Sequence, residues 1–471
     1  MRNAHAVADV RAAEQALMAG LPPGALMQRA AAGLAAVCAG LLPRVYGSRV
    51  VVLAGSGDNG GDALYAGARL ARRGARVVAV AAGSRVHEAG AAALRTAGGQ
   101  VTGPGAAGLE ATMHAADLVL DGLLGIGGRG GLREPQATLA ALAEKARGSG
   151  TTVVAVDLPS GVDADTGEVT GAAVRADVTV TFGTWKMGLL IDPGAAHTGL
   201  AHLVDIGLTP HLPAPAAAAY AAADVAALLP RPGRESDKYR RGVLGVVAGS
   251  DRFTGAAALA VGGALRGGAG MVRLVTAPAA AAVVRQHWPE AVITLTGQDG
   301  GEDAAAAGRV QAWLAGPGMG TDEQARGRLA AVLGTSLPVL VDADGLTLVA
   351  REPELVAGRP APTLLTPHAG ELARLLRADP AAVTARRAEH ARAAAAAFGC
   401  CVLLKGSTTV IAPADGGPLL VNPTGTGWLA TAGTGDVLAG LAGAHPRGEA
   451  PIGAGDVIVS LPDAIRAVHD A

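Results

Sequence analysis

Short β-branched runs alternate with Ala/Leu/Arg stretches of helical period through the first half of the chain. The runs are Arg49 to Ala54, Ala75 to Ala81, Ala116 to Leu120, Thr151 to Val156 and Asp177 to Thr181. Strands spaced by helical stretches predict βαβ units around a parallel sheet. A Pro/Ala-rich stretch from Pro210 to Ala223 interrupts the pattern and reads as a linker. The alternation resumes with Gly242 to Ala248, Met271 to Thr276, Pro338 to Val341, Pro362 to Leu365, Cys401 to Leu404 and Leu419 to Val421. The expected organisation is an α/β domain over residues 1–212, a linker at 213–222 and a second, different α/β domain over 223–471. The length of 471 residues agrees, since it exceeds one ordinary hydrophobic core.

Two glycine-rich loops, each following an apolar run and opening a helix-like one, end on an aspartate: Gly55-Ser-Gly-Asp-Asn-Gly-Gly-Asp62 and Gly433-Thr-Gly-Asp436. Glycines there let backbone N–H groups close on an anion at the positive end of a helix. The terminal carboxylate costs affinity for phosphate unless it binds a cation or moves a proton. Both loops therefore predict chemistry on a phosphate-bearing ligand.

Composition narrows the partners. Lys plus Arg number 39 against 40 Asp plus Glu, so nothing favours nucleic acid or an anionic membrane, and small molecules remain. No apolar run approaches the roughly 18 residues of a membrane helix. The start, Met1-Arg-Asn-Ala-His5, leads into no signal-like block, so a cytoplasmic protein is expected. Cys38, Cys400 and Cys401 show no metal-ligand spacing and read as buried structural thiols. Lysine is nearly absent, at Lys145, Lys186, Lys238 and Lys405 only. Where arginine has replaced lysine almost everywhere, a retained compact ammonium marks candidate function. Lys186, Lys238 and Lys405 lie in motif segments, and Lys145 reads as a solvated charge.

In the first half, Gly55 to Gly60 satisfies G-x-G-x-x-G after a strand and before a helix. The acid expected about 20 residues on to hold a ribose is missing, since the next strand ends Val80-Ala-Ala-Gly-Ser84. An ordinary nicotinamide dehydrogenase is thereby disfavoured. Polar turns at Asp121 to Gly131, Asp157 to Asp163 and Thr184 to Gly188 also follow strand ends, where a doubly wound sheet binds ligands. Asp121 and Asp157 singly read as turn caps. With Asn59 and Ser160 they form an oxygen-rich set able to hold a hard cation, one carboxylate serving as base.

Met27-Gln-Arg-Ala-Ala, the Gly55 to Asp62 loop, Asp157-Leu-Pro-Ser-Gly161 and Asp177-Val-Thr-Val-Thr-Phe182 resemble the NAD(P)H-hydrate epimerase family over nearly all of residues 1–210. The resemblance implies a Rossmann-like fold that interconverts the R and S epimers of hydrated NADH or NADPH beside a potassium ion. By motif position, Asn59, Asp121 and Ser160 ligate potassium. Asp58, Asn59, Gly60, Gly61 and Asp62, with Gly125, Ile126, Gly127, Gly128, Arg129, Gly130 and Gly131, hold the dinucleotide, and Asp157 binds it and is the acid/base. Asp58 and Ala63 depart from the usual Asn-Asn-Gly-Gly-Asp-Gly, which adds negative charge near the ligand. The same fold also serves as a noncatalytic module in mRNA-decapping scaffolds, and the presence of Asp157 favours the enzyme.

The second half carries Ser236-Asp-Lys238, Gly255-Ala-Ala, Gly316-Pro-Gly-Met-Gly320, Asp342-Ala-Asp344, Thr366-Pro-His-Ala-Gly-Glu371, Lys405-Gly-Ser-Thr-Thr409 and Gly433-Thr-Gly-Asp436. Phosphoryl transfer needs an anion hole, positive charge and a base. Gly433 to Gly435, Lys405 and Asp436 can supply them in turn, and no P-loop motif is present. This order resembles the ribokinase-like ADP-dependent NAD(P)H-hydrate dehydratases from about residue 220 to 443. The resemblance implies phosphorylation of the hydrate's hydroxyl by ADP with magnesium, then elimination of phosphate to regenerate NAD(P)H. It makes Asp436 the base, and Asp436, Ala256, Gly318 and His368 substrate contacts. It places Lys405, Gly406, Ser407, Thr408, Thr409, Gly433, Thr434 and Gly435 on the nucleotide. Thr426 and Ala432 replace the usual Asn and Gly. After Gly443 the chain passes through Ala444 to Pro451 directly to Gly455-Asp-Val-Ile-Val-Ser460, which predicts an internal deletion, exposed apolar surface and weaker nucleotide binding.

The sequence thus predicts a fused nicotinamide-nucleotide repair enzyme, expected as a homo-oligomer. The rival readings are a vitamin-type small-alcohol kinase and a noncatalytic dinucleotide-binding module.

Overall fold

The computed structural model describes residues 1–228, 233–297 and 300–444. It divides into two compact units, Arg2–Ala217 and the chain from Ala218 onward.

In the first unit the strands β1 (Arg49–Ala54), β2 (Arg76–Ala81), β3 (Gln100–Thr102), β4 (Leu118–Gly122), β5 (Thr152–Val156), β6 (Val178–Phe182) and β7 (Leu200–Val204) form one sheet. Their order is β3-β2-β1-β4-β5-β6-β7, every pair parallel. Both faces are covered, which follows from β1 itself. Val50, Val52 and Ala54 join the cluster built on Leu34, Leu64 and Leu94, while Val51 and Leu53 join that of Met113, Leu139 and Ala143. Helices on both faces of a parallel sheet define the doubly wound arrangement. Strands β3 and β7 carry no sequence signal because they are edge strands with half-exposed residues, and so lack a continuous apolar run.

The second unit contains β8 (Val243–Val247), β9 (Met271–Thr276), β10 (Val292–Leu295), β11 (Ala312–Ala315), β12 (Val339–Val341), β13 (Thr363–Leu365), β14 (Cys401–Leu404), β15 (Thr409–Ala412) and β16 (Leu419–Asn422). They run β16-β15-β14-β13-β12-β11-β8-β9-β10. The pairs from β14 to β10 are parallel, and β15 is antiparallel to both its neighbours. Its core gathers Leu244, Val246, Leu314, Leu340, Leu364 and Leu403 from five neighbouring strands, β8 and β11 to β14. The two α/β units expected from the pattern are present. Within the Pro/Ala-rich stretch lies the buried strand Ala217–Ala219, followed by the helix Ala222–Leu228.

Among the described residues no helix is long and apolar enough to cross a membrane. Cys38 and Cys400 are buried, Cys401 is half-buried, and all three are free thiols. Burial pushes each up to about 12, so they are inert. Lys145 is exposed and pairs with Glu110. Lys238 lies over the ring of Tyr239 at 5.3 Å. The deletion expected after Gly443 lies outside the described residues.

Candidate active sites

In the first unit the candidate loops leave the carboxyl ends of β1, β4, β5 and β6, which are adjacent in the sheet. The turn after β1 is tight enough to exclude side chains. A Cβ on Gly55 would lie 2.0 Å from the Leu123 carbonyl oxygen, and one on Gly60 would lie 2.1 Å from that of Gly55. The helix Asp58–Arg72 starts directly from this turn. A cleft of about 430 Å³ opens over it.

The cleft is walled by Asp58, Asn59, Asp62, Gly125, Ile126, Gly127, Gly128 and Asp157 from the predicted set. Arg129 faces an adjoining recess. Gly60 and Gly61 are buried in the helix, Gly61 against His87 and Met27, and Gly131 packs on Gly171 with Gly130 beside it. These four shape the loops without lining the cleft. Arg11 and Glu14, from the helix Val7–Met18, and Gln136 also line it and carried no sequence signal.

Asp157 takes a left-handed backbone, φ 66°, and its Oδ1 accepts from Lys186 Nζ at 2.5 Å, Thr181 Oγ1 at 3.1 Å and the Phe182 N–H at 3.2 Å. Lys186 is 1% exposed and also donates to Thr181 Oγ1 and the Phe182 carbonyl, each at 3.0 Å. The lysine singled out by its rarity is thus the buried counter-ion of the candidate base. Asp62 is held well above the usual carboxylate range, by burial first and then by the charges of Asp157, Asp58 and Glu14. Glu14 is raised too, by burial and by Asp157.

Asp121 and Ser160 sit beneath the loops, 0% and 1% exposed. Ser160 donates its hydroxyl to Asp121 Oδ1 at 2.6 Å and its N–H to Oδ2 at 2.8 Å, and its Oγ accepts the Leu124 N–H at 2.9 Å. Burial pushes Asp121 up to about 6, with the Ser160 hydrogen bonds pulling the other way. The Asn59 side chain lies against Gly125, whose Cβ would come within 3.0 Å of its Oδ1, and Asn59 Nδ2 is buried without a hydrogen-bond partner. Among the described residues no group of three or more His, Cys, Asp or Glu is placed to hold a metal ion. The Asp121 carboxylate and the Ser160 hydroxyl meet directly, while the orphaned end of the Asn59 amide is its NH2 donor.

In the second unit the motifs cluster at the carboxyl ends of β8, β11, β12, β13 and β14, again adjacent strands. Lys405 Nζ bonds Asp342 Oδ1 at 2.6 Å and lies 3.8 Å from Glu371 Oε2. Burial pulls the Lys405 ammonium down, and Asp342, Glu371 and Asp436 together lift it above its usual range. Asp436, in the first turn of the helix Thr434–Gly443, is raised to about 6 by burial, then by Asp342, against Lys405. Lys405 Nζ also lies beside the Gly435 backbone, 3.5 Å from where its Cβ would be. The charges that transfer chemistry needs therefore meet at one helix N-terminus.

His368 Nδ1 accepts from the Gly370 N–H at 3.0 Å while Glu371 Oε2 accepts the His368 N–H at 2.8 Å, a capping box on the helix Ala369–Leu376. Its Nε2 lies 3.7 Å from Glu371 Oε2. Gly318 sits where its Cβ would lie 2.8 Å from that of Ala256, so these two candidate substrate contacts adjoin. Gly406 and Ser407 are exposed, whereas Thr408 and Thr409 are buried, Thr409 being the first residue of β15. Arg387 explains the bend: its Nη2 donates to the carbonyls of Lys405 at 2.9 Å and Thr408 at 3.0 Å, and a Cβ on Gly406 would come within 2.1 Å of it. Gly433 and Thr434 start the terminal helix, and Thr434 Oγ1 bonds Thr431 Oγ1 at 2.9 Å.

Known protein families match segments of both units. Residues 23–188 match the family described as YjeF-related protein N-terminus, and residues 244–445 match the NAD(P)H-hydrate dehydratase family. The chain is 48% identical over 460 residues to the bifunctional NAD(P)H-hydrate repair enzyme of Mycobacterium tuberculosis, covering 96% of this chain and 91% of that one. It is 39% identical over 457 residues to that of Gloeobacter violaceus, covering 93% and 87%. A crystal structure of the ADP/ATP-dependent NAD(P)H-hydrate dehydratase from Bacillus subtilis, co-crystallised with ATP/Mg2+, is 32% identical, covering 51% of this chain and 84% of that one at a TM-score of 0.45. The chain belongs to the family of bifunctional NAD(P)H-hydrate repair enzymes.

Proposed function

We propose that the first unit interconverts R- and S-NAD(P)H-hydrate and that the second dehydrates the S epimer back to NAD(P)H with ADP as phosphoryl donor. The observation that carries the reading is the family membership, since 96% of the chain aligns with a relative named a bifunctional NAD(P)H-hydrate repair enzyme. The site geometry supports it. In the first cleft an ion-paired carboxylate faces glycine loops fit for a dinucleotide. Asp157 is the base, and Asp58, Asn59, Asp62 and the 125–129 loop hold the substrate. Potassium fits Asn59, Asp121 and Ser160. There it supplies the positive charge that keeps Asp121 ionised, and turning over the Asn59 amide offers its oxygen in place of the unpartnered Nδ2.

In the second site Asp436 takes the proton of the substrate hydroxyl as phosphate is transferred. Gly433 to Gly435 cradle the migrating phosphoryl group, and Lys405 offsets the nucleotide's charge. Magnesium would arrive with the nucleotide's phosphates, since among the described residues no group of three or more carboxylates is placed to hold it. Ala256, Gly318 and His368 hold the hydrate. The test is consumption of R and S hydrates, followed separately with and without ADP. Interconversion without ADP and loss of S hydrate only with ADP are expected. Turnover of a thiazole or pyrimidine alcohol with ATP, and none of the hydrate, would reassign the second unit as a small-alcohol kinase.

A further inference from the structure

The first cleft holds more carboxyl groups than binding a dinucleotide explains. Glu14, Asp58, Asp62 and Asp157 all line it. Two of them are set apart by their surroundings. Asp157 is ion-paired with the buried Lys186, every contact falling on Oδ1. Asp62 Oδ1 is buried and has no hydrogen-bond partner. A carboxyl oxygen buried without a donor or cation disfavours the anion, because nothing repays the desolvation of charge there. The groups around it reinforce this: Asp157, Asp58 and Glu14 push its carboxyl up and Lys186 offsets them only in part. Arg11 stands on the cleft wall, and His87 packs against the neighbouring Gly61. Two carboxyls in one cleft, one ionised and one protonated, make an acid and base pair.

We propose that Asp62 is the catalytic proton donor of the epimerisation, opposite Asp157 as base. The proposal rests on the epimerase reading of this cleft. Asp62 gives its proton to the hydroxyl on the hydrated ring carbon. The carbon–oxygen bond breaks, its electron pair leaving on oxygen as water, and the lone pair of the ring nitrogen forms a carbon–nitrogen double bond in its place. The ring is then an iminium cation. A water molecule adds to the same carbon from the opposite face, the double-bond pair returns to nitrogen, and the proton shed by the water passes to Asp157. Exchange with solvent moves that proton back to Asp62. One water leaves and one enters, so the step is redox-neutral. Asp58, on the same cleft wall, places an anion beside the transient cation.

The full-length protein is tested with pure S-NADHX in the absence of ADP, following appearance of the R epimer. Asp62→Asn, a neutral isostere of the protonated acid, is expected to lower kcat about a hundredfold or more with KM within about threefold. In oxygen-18 water the wild type is expected to place solvent oxygen in the ring hydroxyl at the rate of epimerisation. Undiminished kcat in Asp62→Asn, or wild-type epimerisation without uptake of solvent oxygen, overturns the proposal. If Asp62→Asn melts early, the pH profile of Asp62→Glu decides: the wild-type rate falls as rising pH strips the acid of its proton, and that limb is expected to move in the variant. An unmoved limb overturns the proposal. A wild-type protein that never interconverts the epimers sinks the epimerase reading instead.

Discussion

Lys186→Met removes the ammonium and keeps the volume of the side chain. Lys186 is 1% exposed and its three partners, Asp157 Oδ1, Thr181 Oγ1 and the Phe182 carbonyl, lie between 2.5 and 3.0 Å. The variant leaves a buried carboxylate without its counter-ion, a change that costs about 3–5 kcal/mol. For a unit of this size each kcal/mol moves the midpoint by about 2–4 °C, so the first unit should melt roughly 6–20 °C lower. Calorimetry on the full chain reads this, with the transition of the second unit as internal reference. In Asp157→Asn/Lys186→Met no bare charge remains, and much of the loss should be recovered. A midpoint shift below about 2 °C, or a double variant no better than the single one, would refute the reasoning.

Asp436→Asn should lower ADP-dependent dehydration about a hundredfold or more and leave R/S exchange unchanged, which the two assays run on one preparation will show. In the wild type, dehydration should fall away as pH drops through about 6, because Asp436, raised to about 6, must be ionised to accept a proton; a flat profile argues for another base. Asp121 is likewise raised from 3.8 to about 6 by burial, so its contribution to stability is full below the lower value and lost as pH rises through the upper one. Potassium at this site should therefore raise the melting temperature at pH about 7.5 and scarcely at pH about 5, and equal shifts at both would place the ion elsewhere. Gly316→Ala puts a Cβ 1.8 Å from the Asp342 carbonyl oxygen at a φ of 139°, and should destabilise the second unit by roughly 2–5 kcal/mol and abolish dehydration; a variant with normal turnover would show that the loop can shift freely.

Much of this architecture is legible in the chain because parallel strands buried on both faces leave apolar runs, and β1, β2, β5 and β9 were found within a residue or so of their ends. Strands β4 and β6 lie later than expected, Leu118–Gly122 and Val178–Phe182, because each run's first residues form the approach to the sheet. Edge strands β3, β7 and β10 escaped notice for want of burial, and β11, Ala-Trp-Leu-Ala, because alanine reads as helix. Glycine loops announce themselves since sterics there allow no other residue. The partners of the site do not: Arg11 and Glu14 come from a helix more than forty residues ahead of the Gly55 loop, and Arg387 reaches behind Gly406 from another helix. Such meetings are set by topology, which periodicity does not encode. Rarity of lysine located Lys186 and Lys405, but not the carboxylates they pair with.

Among the described residues, three that are not glycine hold a left-handed backbone: Asp157, Ala343 and Arg377. Two of these fall inside the candidate chemical clusters, Asp157 as the base and Ala343 between Asp342 and Asp344. A left-handed conformation costs an L-residue roughly 1–2 kcal/mol, and glycine escapes it. At position 157 the residue that best suits the backbone is therefore one that has no carboxylate to offer. Glycine alone does not repay the exchange, because it leaves the buried Lys186 ammonium bare at a cost of about 3–5 kcal/mol, so a library ranked by melting temperature would keep Asp157 unless Lys186 changed with it. The ion pair, and not the dihedral angle, decides which residue the fold keeps at position 157.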